Sequence, residues 1–311
     1  MKVLITPRSF GKYNDIAKNR LLENGIEIIN NPSGSILSED ELIKLVSDVD
    51  GIIIGVDPLN ERVLSHAKKL TVISKYGVGV DNIDLEYCKK NNIDVHITKN
   101  ANSQAVADYA FALILAVARK VTEINDACHK KDWSKKVTVD IYQKKIGILG
   151  FGNIGKAVAC RARGFDMEVL AYDTYQDHEF ADAHQVRFTS IDEIVENCDF
   201  ISIHLPLIPE TEHLLNYKRM SRMKKNAILV NTARGGIIDE DDLVRILKEK
   251  KIYGAGIDVF QHEPASESPL LELSNVIVGS HCAASTEGAI ENMSNFAVEN
   301  LIEAFKKRGL L

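Results

Sequence analysis

The sequence predicts an α/β fold of two doubly wound parallel-sheet domains, on three observations. Short apolar strands alternate with amphipathic helical stretches along nearly all of the chain, as in parallel sheets covered by helices. The 311 residues suit two domains of ordinary size. Near the middle, a strand at 146–149 runs directly into G-x-G-x-x-G and then a helical stretch at 156–163, the context in which that motif binds a dinucleotide.

Taken in order, strands are predicted at 3–6, 26–30, 51–54, 72–74 and 94–97, with helices such as 14–23 and 38–46 between them. One long helix is expected over 103–131, stopped by a turn at Asp132-Trp133; its apolar run, 109–118, is about half of what a membrane helix needs and reads as buried. A second alternation follows, with strands at 146–149, 168–172, 200–204, 228–231, 256–259 and 276–278. The helix at 239–250 opens with Asp239, Glu240, Asp241 and Asp242 and ends with Lys248 and Lys250, charges that complement its dipole at both ends. A last helix at 285–307, capped by Ser285 or Thr286, is expected to cross back onto the first domain. The predicted domains are 1–98 plus 285–311, and 99–284.

Within G-x-G-x-x-G, Gly150 permits a tight turn and Gly152 lets backbone amides approach a diphosphate. Gly155 lets helix and strand pack closely, with the diphosphate on the helix N-terminus. Gly150, Gly152, Asn153, Ile154 and Gly155 are therefore candidate cofactor positions. Asp173 ends the next strand, 18 residues past Gly155, near the roughly 20 expected for the carboxylate that binds the adenosine ribose. Asp173 would repel a 2′-phosphate and no Arg follows it, so the cofactor is read as NAD rather than NADP.

Composition excludes several classes. With 38 Lys and Arg against 44 Asp and Glu, the formal charge is −6, and no basic run tracks nucleic acid. Met1 leads straight into a strand, so no secretory signal is expected. Cys88, Cys128, Cys160, Cys198 and Cys282 are scattered, without C-x-x-C or a zinc-like His spacing. Reduced thiols in the cytoplasm, and no metal, are the simple expectation.

Three later segments place polar residues at strand ends, where open α/β sheets bind ligands. Arg234 follows the strand at 228–231, beside Thr232 and Ala233, and precedes Gly235-Gly236; its guanidinium can grip a carboxylate bidentately and polarise the adjacent carbonyl. Asp258 lies in an apolar strand pattern, with Glu263 in the loop beyond, and His281 follows the strand at 276–278. Histidine is suited to exchanging one proton near neutrality, and a nearby carboxylate such as Glu263 would favour its imidazolium.

At these residues the chain resembles the D-isomer-specific 2-hydroxyacid dehydrogenases, and among them most closely the catalytic core of the D-3-phosphoglycerate dehydrogenases. The motifs are N-x-x-R-G-G-x-x-D at 231–239, D-V-F-x-x-E-P at 258–264, and His281. The resemblance implies that Arg234 binds the substrate carboxylate and carbonyl, Glu263 supports the catalytic His281, and Asp258 holds the nicotinamide carboxamide. His204-Leu-Pro206 with Thr211 resembles the loop passing the cofactor phosphates and adenosine. The stretch from Lys75 to Asp84 resembles the substrate loop whose Val78 and Gly79 amides cradle the carboxylate. A flavodoxin-like substrate domain, a Rossmann NAD domain, a cleft that closes on substrate and a homodimer follow from the same resemblance.

Two departures stand out. Lys75 replaces a common Arg, keeping charge but losing the bidentate fork. Asp108 replaces the Glu of the family's S-V-A-E. The implied reaction is reversible hydride transfer between NAD and a D-2-hydroxy acid. 3-Phosphoglycerate oxidation is the first expectation, with Lys75, Arg8 and Lys99 as candidate phosphate cations. Glyoxylate, hydroxypyruvate or another small 2-keto acid is the alternative substrate. A non-catalytic NAD(H)-sensing regulator is the rival of another class. A formate dehydrogenase is disfavoured, because Glu263 is a carboxylate where those enzymes carry an amide.

Overall fold

Strand order follows from the crossovers. The computed structural model describes residues 1–311, which divide into two units: Met1–Asn102 with Ser285–Leu311, and Ser103–Ala284. No helix is long and apolar enough to cross a membrane.

In the first unit, β1 (Lys2–Ile5), β2 (Glu27–Asn30), β3 (Gly51–Ile54), β4 (Val72–Lys75) and β5 (Asp94–Ile97) form an all-parallel sheet in the order β2-β1-β3-β4-β5. That is the flavodoxin-like order. β3 and β4 are buried along their whole length, which is why they read as continuous apolar runs. Helix Glu39–Val46 starts in a full capping box, Ser38 with Glu41. The C-terminal helix Glu287–Lys307, capped by Thr286, lays Ala297, Leu301 and Phe305 against Val3, Ile53 and Val72 of this sheet. Gly51 admits it, since a Cβ there would come 2.8 Å from the Phe305 ring.

In the second unit, seven parallel strands follow the order β12-β11-β10-β9-β6-β7-β8. They are β6 (Lys145–Leu149), β7 (Glu168–Tyr172), β8 (Val186–Phe188), β9 (Phe200–Ile203), β10 (Ile228–Asn231), β11 (Gly254–Ile257) and β12 (Val276–Val278). Counted from β6, this is the Rossmann order 3-2-1-4-5-6 with one strand added, and its direction reverses between β6 and β9. The fold class is thus the one the alternation predicts.

Three local expectations are corrected. The helix expected over 103–131 is two, Ser103–Ala118 and Val121–His129, broken where Lys120 adopts a left-handed φ of 50°. No Gly or Pro marks that break; instead the freed Ala118 carbonyl accepts from Val139 N–H at 3.0 Å. β8 was not anticipated, being a three-residue edge strand with Arg187 exposed. β11 begins at Gly254, so Asp258 falls just beyond the strand rather than within it. Its two glycines are a packing demand: a Cβ at 254 would come 2.5 Å from the Asn275 carbonyl oxygen and one at 256 would come 2.8 Å from Leu113.

Candidate active site

At the reversal between β6 and β9, the glycine turn is shaped by close approaches. Gly150 has φ 98°, and a Cβ there would sit 2.5 Å from the His204 carbonyl group. A Cβ on Gly155 would collide with the Gly150 carbonyl oxygen, whereas Gly152 faces open space. Helix Asn153–Arg163 begins at Gly152 with no side chain capping it. Its first amides, those of Asn153, Ile154 and Gly155, are therefore presented to an anion with the helix dipole behind them. Asp173 accepts from Phe151 N–H at 2.6 Å and Tyr175 N–H at 3.0 Å, so it braces the turn while retaining lone pairs for a hydroxyl.

His204 donates nothing to solvent. Its Nε2 lies 2.8 Å from Ser202 Oγ, its Nδ1 is enclosed without a partner, and burial holds its pKa down at about 3. It is a neutral imidazole. Thr232 Oγ1 is likewise enclosed and unpartnered. An open, uncapped glycine turn, an acid without a neighbouring cation and two orphaned polar atoms fit a dinucleotide with unphosphorylated ribose. Gly155→Ala is expected to weaken NADH binding about tenfold, or about 1.4 kcal/mol, in a fluorescence titration. Unchanged affinity would mean that the turn can yield to a methyl group.

Thr211 Oγ1 donates to the Pro206 carbonyl at 2.6 Å and accepts from Ile208 N–H at 2.9 Å. It closes the loop carrying Pro206, whose ring is exposed.

The three residues singled out for chemistry are brought together by loops after β10, β11 and β12. His281 Nδ1 lies 2.8 Å from Glu263 Oε2, and Glu263 Oε1 accepts from Phe260 N–H at 3.0 Å. Because a carboxylate only accepts, Nδ1 carries the proton toward Glu263 and Nε2 is left for a ligand. Burial pushes the Glu263 carboxyl up, but the His281 bond and charge, the Phe260 amide and the Arg234 charge together hold it below the usual range. Arg234 Nη1 donates to the Ala233 carbonyl at 2.7 Å. Asn231 shapes that turn by accepting from Ala233 N–H and donating to the Arg234 carbonyl. Gly235 packs so tightly that a Cβ would collide with the Phe260 backbone, which is how the Arg234 loop reaches the Glu263 loop.

Asp258 is fully buried. Its carboxylate accepts from Cys282 N–H at 3.0 Å and Ala283 N–H at 2.9 Å, and its carbonyl accepts from His281 N–H at 2.8 Å. It clamps the His281 loop. Gly279 makes room, since a Cβ there would collide with the Asp258 carboxylate. Sequence reasoning missed Asn231 and Gly279; Gly235, read from sequence as permitting a sharp turn, also lets the Arg234 loop approach Phe260.

Within the first unit, Lys75 departs from expectation. It is 5% exposed, and its ammonium donates to the Gly55 carbonyl and, at 2.7 Å, to Asn82 Oδ1. The last residue of a fully buried strand, it turns inward because its stem and charge are both satisfied there. The Val78 and Gly79 amides, in contrast, are taken up by no hydrogen bond of the protein, and Val78 is exposed. Asp108 pairs with Arg161, at 2.7 Å to Nε and 2.6 Å to Nη2, and thereby joins helix Ser103–Ala118 to helix Asn153–Arg163.

Residues 111–283 match the family model of the D-isomer specific 2-hydroxyacid dehydrogenase, NAD binding domain. A glyoxylate reductase of Korarchaeum cryptofilum is 38% identical over 278 residues, 87% of this chain and 83% of its own. A D-3-phosphoglycerate dehydrogenase of Methanocaldococcus jannaschii is also 38% identical, over 85% of this chain but 51% of that protein. The crystal structure of D-lactate dehydrogenase from Aquifex aeolicus, complexed with NAD and lactic acid, superimposes with a TM-score of 0.86 at 32% identity, covering 99% of this chain and 96% of that one. With that family model matching over half of the chain and these relatives along most of it, the chain belongs to the D-isomer-specific 2-hydroxyacid dehydrogenases, NAD-dependent oxidoreductases acting on CH–OH groups.

Proposed function

We propose that the protein reduces a small, unphosphorylated 2-keto acid of the glyoxylate or hydroxypyruvate kind to the D-2-hydroxy acid, and catalyses the reverse oxidation. The observation that carries this choice is Lys75. Of the three cations that the phosphoglycerate reading offered, Lys75 donates to Gly55 and Asn82. The similarity to glyoxylate reductases supports the same choice. The equally identical phosphoglycerate dehydrogenase keeps that substrate as the second reading.

When bound at the turn of Gly150 to Gly155, NADH would supply the hydride for reduction and NAD+ would accept it in oxidation. In reduction, protonated His281 gives its Nε2 proton to the carbonyl oxygen, and in oxidation neutral His281 takes the hydroxyl proton. Glu263 holds Nδ1, so the imidazole keeps one orientation through both directions. Arg234 binds the substrate carboxylate and stabilises negative charge on the reacting oxygen. Within the first unit, the amides of Val78 and Gly79 are two donors open to a carboxylate. The second unit is the NAD-binding domain in this reading and the first is the substrate domain. A homodimer and a cytoplasmic location complete it, and five free cysteines suit a reducing compartment.

The test compares NADH consumption with glyoxylate and hydroxypyruvate against NADH formation from NAD and 3-phospho-D-glycerate. Fast reduction of the unphosphorylated acids with little phosphoglycerate oxidation is expected, and the reverse order would overturn the choice. Lys75→Met should lower stability by about 1–3 kcal/mol, the cost of leaving a buried acceptor unpaired, read as a lower Tm. The ratio of kcat/KM between phosphorylated and unphosphorylated acids should stay as it was; a ratio shifted against phosphate would return Lys75 to substrate recognition.

A further inference from the structure

We propose that Tyr109 is a positioning residue for His281, acting through Cys282 and Asp258 to hold the turn that presents the imidazole. The inference rests on the reading of His281 as the proton donor. His281 has a left-handed φ of 56°, a conformation that a non-glycine residue keeps only where its surroundings over-determine it. The surroundings here are three backbone amides, at 281, 282 and 283, all donating to Asp258. What holds Asp258 and the loop in register from the other side is a short polar chain. Cys282 Sγ lies 3.6 Å from Asp258 Oδ1 and 3.3 Å from Tyr109 Oη.

The thiol has a single proton, so it donates to only one of these two oxygens at a time. Asp258 ionised is acceptor-only, the thiol has one weak proton to give, and a phenol can donate to sulfur. When the thiol donates to the carboxylate, the Tyr109 hydroxyl can complete the chain by donating to sulfur. Burial first, and then the neighbouring thiol and Asp258, push the Tyr109 hydroxyl above its usual range, so it keeps its proton. The ring is anchored by helix Ser103–Ala118, whose Ala107, Ala110 and Phe111 are buried in the core beneath. A Cβ at Gly279 would lie 2.7 Å from the same hydroxyl, so the phenol is seated against the strand-end turn that leads to His281. None of this requires Tyr109 to touch substrate or cofactor.

The experiment is a double-mutant cycle on the full chain with Tyr109→Phe, Cys282→Ala and the pair, plus Cys282→Ser to restore a donor. Each single variant is expected to lower kcat for keto-acid reduction about tenfold, less than the hundredfold associated with a 1 Å misplacement. KM and NADH affinity should hold. The pair should be no worse than either single variant, the mark of one shared interaction, and Cys282→Ser should recover part of the loss. Hydrogen exchange at the Cys282 and Ala283 amides should quicken in both single variants, faster than any change in Tm explains. Unchanged kcat and exchange, additive losses, or a fall in Tm alone would overturn the inference. If the unmodified protein turns over no 2-keto acid, the functional reading fails, and the exchange rates still decide whether Tyr109 holds the loop.

Discussion

Replacing His281 with alanine is expected to lower kcat for keto-acid reduction by about two to four orders of magnitude, the usual worth of a positioned general acid, while NADH still binds. The expectation follows from what the imidazole touches. Nδ1 is given to Glu263 at 2.8 Å, so Nε2 is the nitrogen left for the substrate oxygen. The candidate cofactor positions, by contrast, lie on the turn at Gly150 to Gly155 and at Asp173, which this substitution does not disturb. Stopped-flow turnover beside a fluorescence titration of NADH separates the two effects. Turnover within a few-fold of the parent would move the proton to another group. Acid dependence can be signed from Glu263. Its folded-state carboxyl lies below its ordinary value of 4.5, so the pair contributes stability that is present above that value. The contribution is lost as pH falls through the lower, folded-state value. A Glu263→Gln variant should therefore lose the part of acid destabilisation that this pair causes, seen as a shallower fall in Tm below pH 4.5.

Arg234→Lys should cost about 10²–10³ in kcat/KM, comparable to removing a charge-stabilising donor from an active site. The charge survives in this variant, but the planar fork does not. The guanidinium is already oriented by its own Nη1 bond to the Ala233 carbonyl, and the turn beneath it is fixed by Asn231. Lysine can reproduce neither that bond nor two parallel donors to a carboxylate. The loss should appear in both KM and kcat, because the fork is read as holding the carboxylate before reaction and stabilising oxygen charge during it. A loss confined to Tm, with kcat/KM preserved in the folded fraction, would make Arg234 a structural cation. Addition of guanidinium to an Arg234→Ala variant gives an independent check, since partial rescue requires a vacated site of the right shape.

Much of this was legible before any coordinates, and the exceptions share a cause. The alternation of strands and helices, the glycine turn and its terminal acid are local patterns, carried by residues close in sequence. So was the suspicion that Arg234, Glu263 and His281 work together, since each follows a strand at the same end of a parallel sheet. What was not legible depends on partners distant in the chain. Lys120 breaks a helix because Val139 takes up the Ala118 carbonyl, and nothing near Lys120 announces that. β8 is a short edge strand whose pairing with β7 outweighs its weak pattern.

The direction of a buried polar side chain is the sharpest instance. Lys75, Thr211 and Asp258 each satisfy backbone groups or a side chain of a neighbouring loop. By itself, then, the sequence determined the two parallel-sheet domains and the NAD-binding turn, and singled out Arg234, Glu263 and His281 as the candidates for the chemistry. Tertiary structure alone decided which charges are committed inside: that Lys75 is spent on Gly55 and Asn82, that Asp258 holds the His281 loop, and that Tyr109 and Cys282 stand behind it. The physical reason is that strand and turn patterns are written in local spacing. Where a buried charge points is set by whichever distant carbonyl, amide or carboxylate the fold brings within about 3 Å.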